Sequence, residues 1–176
     1  MNAVFVDTAG WMACADRSDP AHVACTAARD ATLEAGRLLI TTDFVVDETL
    51  TLIRFRLGLA AASAWWQQID GSARLRWERV ESDRFERARN LFFQYRDEDL
   101  SFTDCTSFAI MRELKLTTVI TTDGHFRQVG FDVLPATRPR RPRKRRGRSA
   151  STVTTPLPRP CFADRRPRLR PCPLAG

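Results

Sequence analysis

The chain alternates short apolar runs with longer segments whose apolar residues recur every three or four positions. The short runs are rich in β-branched residues and predict strands at residues 4–6, 38–42, 75–80, 118–122 and 131–134. The longer segments predict helices at residues 8–15, 20–34, 43–54, 60–69, 82–95, 101–114 and 125–129. Strands that alternate with helices in this way indicate an α/β fold with a mostly parallel sheet flanked by helices.

Several residues indicate where these elements begin, end and pack. Asp19 and Pro20 have the form of an N-cap followed by the first helical residue, and Gly36 ends that helix. The run at 75–80 alternates with period two, which predicts a strand near an edge of the sheet. The helix at 82–95 is amphipathic, and its apolar side is formed by Phe85, Ala88, Leu91 and Phe92.

Charge is distributed unevenly along the 176 residues. Residues 138–176 carry 13 Lys and Arg against one acid, whereas residues 1–137 carry 15 Lys and Arg against 20 Asp and Glu. Eight of the ten prolines also lie in this C-terminal segment. We therefore predict one folded domain over residues 1–136 and a disordered Arg/Pro-rich tail over residues 137–176. The tail is either an evolved nucleic-acid-binding arm or GC-rich DNA translated past a lost stop codon or in a shifted frame.

The five cysteines form neither a disulfide framework nor a zinc motif. Their number is odd, no Cys-x-x-Cys pair occurs, and the chain has only two histidines. Cys14, Cys25 and Cys105 have apolar neighbours and are interpreted as small core residues of a reducing compartment. Neither a secretory leader pattern nor an 18-residue apolar run is present, so we expect a cytoplasmic protein without a membrane segment.

Four acids lie where the predicted elements meet. Asp7 directly follows the first strand, and Asp123 follows the fourth. Asp104 begins the helix that leads into the fourth strand, while Glu48 lies in the helix after the second strand. The three aspartates also have structural alternatives, because Asp7 and Asp123 have the position of helix caps and Ser101-x-x-Asp104 has the form of a capping box.

Glu48 has no such alternative. On a helical wheel Asp47 falls on the polar side with Thr51 and Arg54, whereas Glu48 falls between Phe55 and Leu52 in the apolar arc. A buried, ionised carboxylate is costly unless it is paired or bound to a metal. Glu48 is therefore predicted to have a partner, and Asp47 to be an ordinary surface acid.

The four acids are expected to converge, because the carboxyl ends of parallel strands meet at one edge of the sheet. Without a matching cluster of Lys or Arg they would repel one another and raise one another's pKa. A divalent cation removes this conflict. Oxygen ligands alone favour a hard ion, Mg²⁺ or Mn²⁺.

The motifs around these acids resemble those of the PIN-domain ribonucleases, in particular the VapC-type toxins of prokaryotic toxin–antitoxin pairs. They are Val-Asp-Thr at Asp7, Asp-Glu-Thr-Leu at Glu48, Ser-Phe-Thr-Asp-Cys-Thr-Ser-Phe at Asp104, and Thr-Thr-Asp-Gly-His-Phe-Arg-Gln-Val-Gly-Phe at Asp123. The last motif is the most specific. The resemblance covers residues 1 to about 136, and the basic tail is no part of the family's pattern.

The resemblance implies a PIN fold with acids at the C-terminal edge of the sheet. It implies a metal-dependent endoribonuclease that forms a homodimer and is held by a small cognate antitoxin. By position, Asp7 and Asp104 match the acids most directly assigned to the metal, while Glu48 and Asp123 complete the site. Attack of water on an RNA phosphodiester would leave a 5′-phosphate and a 3′-hydroxyl.

Other polar and aromatic residues have two interpretations each. Thr8, Thr106 and Ser107 either support the acids by hydrogen bonds or are ordinary residues near helix caps. Arg54 and Arg56 either bind phosphate or are solvated. His125 is expected at the surface with Phe126 packed below it. Trp65 and Trp66 cannot share a helix face, so one is expected in the core and the other at an interface.

Two other functions are compatible with part of the sequence. A Mg²⁺-dependent phosphotransfer module also uses Asp at strand ends, but Ala9 replaces the second Asp of a haloacid-dehalogenase-type phosphatase. The lysine of a receiver domain is also absent. A non-catalytic PIN-like protein that binds nucleic acid through the basic tail is the other alternative. Deletion of residues 138–176 separates it from an enzyme, because only the enzyme would still cleave RNA.

Overall fold

The computed structural model describes residues 2–95 and 99–136, which contain five strands and seven helices. The strands are β1 (Ala3–Val6), β2 (Leu38–Thr42), β3 (Leu75–Glu78), β4 (Thr118–Ile120) and β5 (Asp132–Leu134). The helices are α1 (Thr8–Ala15), α2 (His22–Glu34), α3 (Asp43–Arg56), α4 (Leu59–Ile69), α5 (Ser82–Gln94), α6 (Phe102–Glu113) and α7 (His125–Gln128). The predicted tail at 137–176 lies outside the described residues, so its disorder stays a prediction.

The five strands form one parallel sheet in the order β3-β2-β1-β4-β5. Val4 in β1 lies opposite Leu39 in β2, and Val6 lies opposite Ile120 in β4. This confirms the predicted parallel α/β fold and the position of β3 at an edge. It also brings the ends of β1 and β4, which are more than 110 residues apart in the chain, into direct contact.

The direction in which the chain adds strands to the sheet reverses between β1 and β4. From β1 the chain adds β2 and β3 on one side, and it then crosses back to add β4 and β5 on the other. Crossover connections on the two sides of such a point diverge, which leaves a crevice outside the carboxyl ends of the two strands. Asp7 follows β1 and Asp123 follows β4 at this crevice.

The core covers the central strands on both faces. All four residues of β1 are buried, which explains why its sequence is a continuous apolar run and does not alternate. Phe108 and Phe126 are fully buried and meet edge to face with ring centroids 4.9 Å apart, so the predicted packing of Phe126 is confirmed. Trp65 is buried, which confirms that one of this pair is a core residue, whereas Trp66 is 36% exposed and its ring meets Trp77 edge to face; its place at an interface stays a prediction.

Two helix predictions need correction. Helix α2 begins at His22 and not at Pro20, because Asp19 accepts a hydrogen bond from the Ala21 N–H (2.7 Å) in a turn that precedes the helix. On α5, Ala88 is buried as predicted, but Phe85 and Phe92 remain 41% and 39% exposed. Their rings form a surface cluster with Phe44 and Phe102 and do not enter the core.

The described cysteines agree with the prediction of a reduced protein. Cys14, Cys25 and Cys105 are free thiols, the last two buried and Cys14 half buried. Burial raises the pKa of Cys25 and of Cys105 to about 11, which keeps both protonated and unreactive. None of the helices in the described residues has the length and hydropathy needed to cross a bilayer.

Candidate active site

Asp7 caps a helix with one oxygen and leaves the other without a partner. Its Oδ2 accepts hydrogen bonds from the Ala9 N–H (3.2 Å) and from the Thr121 hydroxyl (3.0 Å). Its Oδ1 is buried and, among the described residues, has no hydrogen-bond partner. A buried oxygen of this kind is costly unless another group completes its coordination. The predicted N-cap role is therefore confirmed for Oδ2, and it does not account for Oδ1.

Asp104 is also engaged in local structure through a single oxygen. The Ser101 N–H donates to Asp104 Oδ2 (2.8 Å), and the Asp104 N–H donates to Ser101 Oγ (3.0 Å). This is the capping box that the sequence predicts, and it begins α6. The capping box does not use Oδ1, and Asp104 lines the crevice between the strand ends.

Asp123 is fixed by the first residues of α7 and by Thr121. Its Oδ1 accepts a hydrogen bond from the His125 N–H (2.9 Å), and the His125 ring nitrogen Nδ1 lies 3.0 Å from the same oxygen. The Asp123 N–H donates to Thr121 Oγ1 (3.0 Å), whose own proton goes to Asp7. One buried hydroxyl thus sets the positions of two of the four acids.

Glu48 is half buried, not fully buried as its position on the wheel predicts. The Thr8 hydroxyl donates to Glu48 Oε2 at 2.6 Å, so the predicted partner exists and is a neutral side chain. Asp47 is exposed, which confirms it as the surface acid. Phe55 is 83% exposed, so its assignment to the apolar arc is wrong. The hydrogen bond from Thr8 also shows that this threonine supports an acid, unlike Thr106, which bonds to a backbone carbonyl of its own helix.

All four acids line one crevice of about 340 Å³. Burial, followed by the charge of Asp104, raises the pKa of Asp7 to about 7. Burial also raises the pKa of Asp104, with further contributions from Asp123 and Glu48 against opposing hydrogen bonds from Ser101. The mutual repulsion expected from the sequence is therefore present, and in the described residues the crevice contains a single cation, Arg56.

The arrangement fits a divalent cation. Asp7 contributes a buried oxygen without a partner among the described residues, and burial with neighbouring charge raises the pKa of Asp7 and of Asp104. One ligand atom from each of Asp104, Asp123 and His125 lies within 4.8 Å of the others. A positive ion bound by these groups would offset the repulsion among the acids.

Sequence reasoning does not identify one residue that lines this crevice and two residues that contact its acids. Asp19 lines it, although its sequence position suggests only a helix cap. His125, expected at the surface, is partly buried against Asp123 and near Asp104. Thr121 connects Asp7 and Asp123 although it appears in the sequence as an ordinary β-branched strand residue. Only its place two residues before Asp123 could have pointed to this role.

Replacement of Thr121 by Val is expected to lower divalent-ion affinity or cleavage by about 10- to 100-fold, the usual effect of removing a group that orients metal ligands. Valine keeps the shape of the buried side chain but neither donates to Asp7 nor accepts from the Asp123 N–H. Isothermal titration with Mn²⁺ and initial rates of RNA cleavage measure the effect. Thr118→Val at the start of β4 is the control, because the Thr118 hydroxyl lies near that of Thr117 and makes no hydrogen bond to the acids of the crevice among the described residues. Equal losses in both variants would contradict the assigned role.

Known proteins share the sequence and the fold of this region. Residues 4–132 match the family model described as PIN domain. The chain is 35% identical over 130 residues to the 23S rRNA-specific endonuclease VapC20 of Mycobacterium tuberculosis, covering 73% of this chain and 95% of that protein. It is 26% identical to ribonuclease VapC26 of the same organism, covering 75% of this chain and all of VapC26. The crystal structure of VapC20, described as a sarcin–ricin loop cleaving toxin, superposes with a TM-score of 0.67 at 32% identity, covering 75% of this chain and 99% of VapC20.

Proposed function

Because the chain belongs to the PIN-domain family and its relatives are VapC-type ribonucleases, we propose that it is a metal-dependent endoribonuclease. The observation that carries this proposal is the convergence of Asp7, Glu48, Asp104 and Asp123 in one crevice, with Asp7 Oδ1 buried and unpaired. Backbone capping accounts for one carboxylate oxygen of each of the three aspartates, and it does not account for Asp7 Oδ1.

Mg²⁺ or Mn²⁺ is the proposed ion, held by Asp7 and Asp104 and completed by Glu48 and Asp123. Carboxylate oxygens suit both ions, and the nearby imidazole of His125 makes Mn²⁺ an acceptable alternative to Mg²⁺. When bound, such an ion polarises a phosphodiester oxygen and lowers the pKa of a coordinated water.

The residues of the chain then position the reactants. Thr8 holds Oε2 of Glu48, which leaves Oε1 available to accept a hydrogen bond from the attacking water. The water oxygen forms a bond to phosphorus while the bond from phosphorus to O3′ breaks. One water proton passes to a carboxylate of the crevice, and O3′ takes a proton from solvent. The products carry a 5′-phosphate and a 3′-hydroxyl.

Cleavage of total RNA is expected with Mg²⁺ or Mn²⁺ and not with EDTA. The relative VapC20 is a 23S rRNA-specific endonuclease, so we propose large-subunit ribosomal RNA as the first substrate to examine. Ligation-dependent mapping of the cut ends tests the products, since only 5′-phosphate ends ligate without prior kinase treatment. Cleavage that persists in EDTA, or fragments that end in a 2′,3′-cyclic phosphate, would be incompatible with the proposed mechanism.

The same proposal includes a toxin role with two protein partners, a cognate antitoxin and a second copy of the chain. It is supported by the VapC relatives and by large apolar side chains that are exposed on α5, namely Phe85, Phe92 and Phe93. Growth arrest on expression, relieved by co-expression of a small neighbouring reading frame, is the corresponding test. Light scattering of the purified chain measures the oligomeric state.

A further inference from the structure

In the part of the chain that the structure describes, one cation lines the crevice of acids. Arg56, the last residue of α3, lines it together with Glu48 and Leu52 of the same helix. Among the described residues its guanidinium makes no hydrogen bond or ion pair, so its charge is not neutralised. Arg54, two residues earlier, is exposed and does not line the crevice. The structure thus shows that Arg56 lines the crevice and Arg54 does not, although both arginines have the same two interpretations in the sequence.

The position of Arg56 follows from helix geometry. Glu48, Leu52 and Arg56 are spaced four residues apart, so they lie on one face of α3. Eight residues correspond to about 12 Å along the helix axis. A cation at this distance from Glu48 is suited to a phosphate that neighbours the scissile one.

An exposed aromatic residue precedes this cation in the chain. Phe55 is 83% exposed and follows Glu48 by seven residues, which places it near the same face of α3. Burial therefore does not account for a phenylalanine at this position. A flat apolar ring beside an unpaired arginine is the combination with which proteins hold single-stranded nucleic acid, the ring stacking on a base and the cation meeting the backbone.

We propose that Arg56 and Phe55 form a substrate-binding subsite for single-stranded RNA, continuous with the crevice of acids. Arg56 binds a backbone phosphate next to the cleaved bond, and Phe55 stacks on a base. This inference rests on the proposed ribonuclease function. Arg56 is the one cation that lines the crevice among the described residues, and the acids there, namely Asp7, Asp19, Glu48, Asp104 and Asp123, repel a polyanion, so a backbone phosphate of RNA that enters the crevice is expected to bind Arg56.

The test compares Arg56→Ala with Arg54→Ala in the full-length chain. Steady-state cleavage of a single-stranded oligoribonucleotide with Mg²⁺ is expected to show KM raised about tenfold in R56A, with kcat changed less than about threefold. Fluorescence anisotropy of the same oligonucleotide in EDTA, where cleavage is blocked, is expected to show about tenfold weaker binding. The slope of log K against log salt is expected to fall by about 0.7, the value for one lost contact to a single strand. R54A is expected to match the wild type in all three measurements.

Phe55 is tested by Phe55→Leu and Phe55→Trp. Leucine keeps the apolar character without the flat ring and is expected to weaken binding about tenfold, whereas tryptophan is expected to preserve it. Phe55 and Arg56 are both exposed, so these substitutions are not expected to change the unfolding midpoint of the protein.

If the wild type cleaves RNA but R56A behaves like R54A, the subsite proposal is wrong and the ribonuclease proposal stands. If R56A and F55L lose binding to a protein partner and keep wild-type RNA affinity, this surface is a protein interface and the subsite proposal is again wrong. If the wild type neither binds nor cleaves RNA, the proposed function itself fails.

Discussion

An Asp7→Asn protein is expected to lose RNA cleavage by about 10³-fold or more and, without metal, to be more stable than the wild type at pH 8. The loss of activity follows because Asp7 is the proposed ligand with the unpartnered buried oxygen. A metal ion contributes several kcal/mol to phosphoryl transfer, and each 1.36 kcal/mol corresponds to a factor of ten in rate. Asp104→Asn is expected to lose cleavage likewise, since asparagine can keep the capping box with Ser101 but lacks the charge.

The stability gain follows from the direction of the pKa shift. The pKa of Asp7 is about 7 in the folded protein, against an ordinary value of 3.8, so the folded state holds this proton more tightly than the unfolded chain. The resulting stabilisation is fully present below about pH 4 and is lost as the pH rises through 7. Asparagine does not ionise and can still accept from the Ala9 N–H and the Thr121 hydroxyl. A difference of about 1–4 kcal/mol at pH 8 is therefore expected, at 1.36 kcal/mol per pKa unit.

Urea unfolding in EDTA at pH 5 and pH 8 measures this difference. The gain of D7N over the wild type should be larger at pH 8, and Mn²⁺ should stabilise the wild type more than the variant. Asp47→Asn is the matched control, because Asp47 is exposed and belongs to no part of the crevice. Wild-type cleavage by D7N, or an equal stability gain in D47N, would show that Asp7 does not have the role proposed for it.

The sequence predicts the three aspartates of the site because two local signals coincide at each of them. Asp7, Asp104 and Asp123 stand at helix starts, where a carboxylate is favoured, and also at the edge where parallel strands end. From the sequence these appear to be competing explanations. The structure shows that they are compatible, because one oxygen of each aspartate accepts a backbone N–H while the residue also lines the crevice. Local capping thus orients the carboxylates.

The remaining features depend on tertiary contacts that no local pattern contains. The adjacency of β1 and β4 places Thr121 against Asp7, and strand order cannot be read from periodicity. A helical wheel assigns Phe55 to the apolar side because it assumes that neighbouring elements cover the whole helix. The last turn of α3 is covered on the side of Ile53 only, so Phe55 and Arg56 are exposed there.

Gly10→Ala is expected to destabilise the protein by about 3 kcal/mol or more, the upper part of the range for overpacking. A Cβ at Gly10 would lie 2.2 Å from the carbonyl oxygen of Ile120 and 2.9 Å from its carbonyl carbon. Both atoms are backbone, so the collision cannot be relieved by a side-chain rotation, and α1 or β4 must move. The same Ile120 oxygen accepts the Asp7 N–H (3.2 Å), so either movement disturbs the junction between β1 and β4.

This close contact of helix and strand also positions the acids, so G10A is expected to lose cleavage even at temperatures where it is folded. Chemical unfolding followed by the fluorescence of the neighbouring, buried Trp11 gives the change in stability. Gly124→Ala is the control for stability, because a Cβ there meets no atom within 4 Å and the backbone φ of −71° suits alanine. G124A should unfold within about 0.5 kcal/mol of the wild type, as surface substitutions usually do. Equal midpoints for G10A and the wild type would mean that α1 has room to move away from β4, and the acids would then depend less on this contact than their geometry indicates.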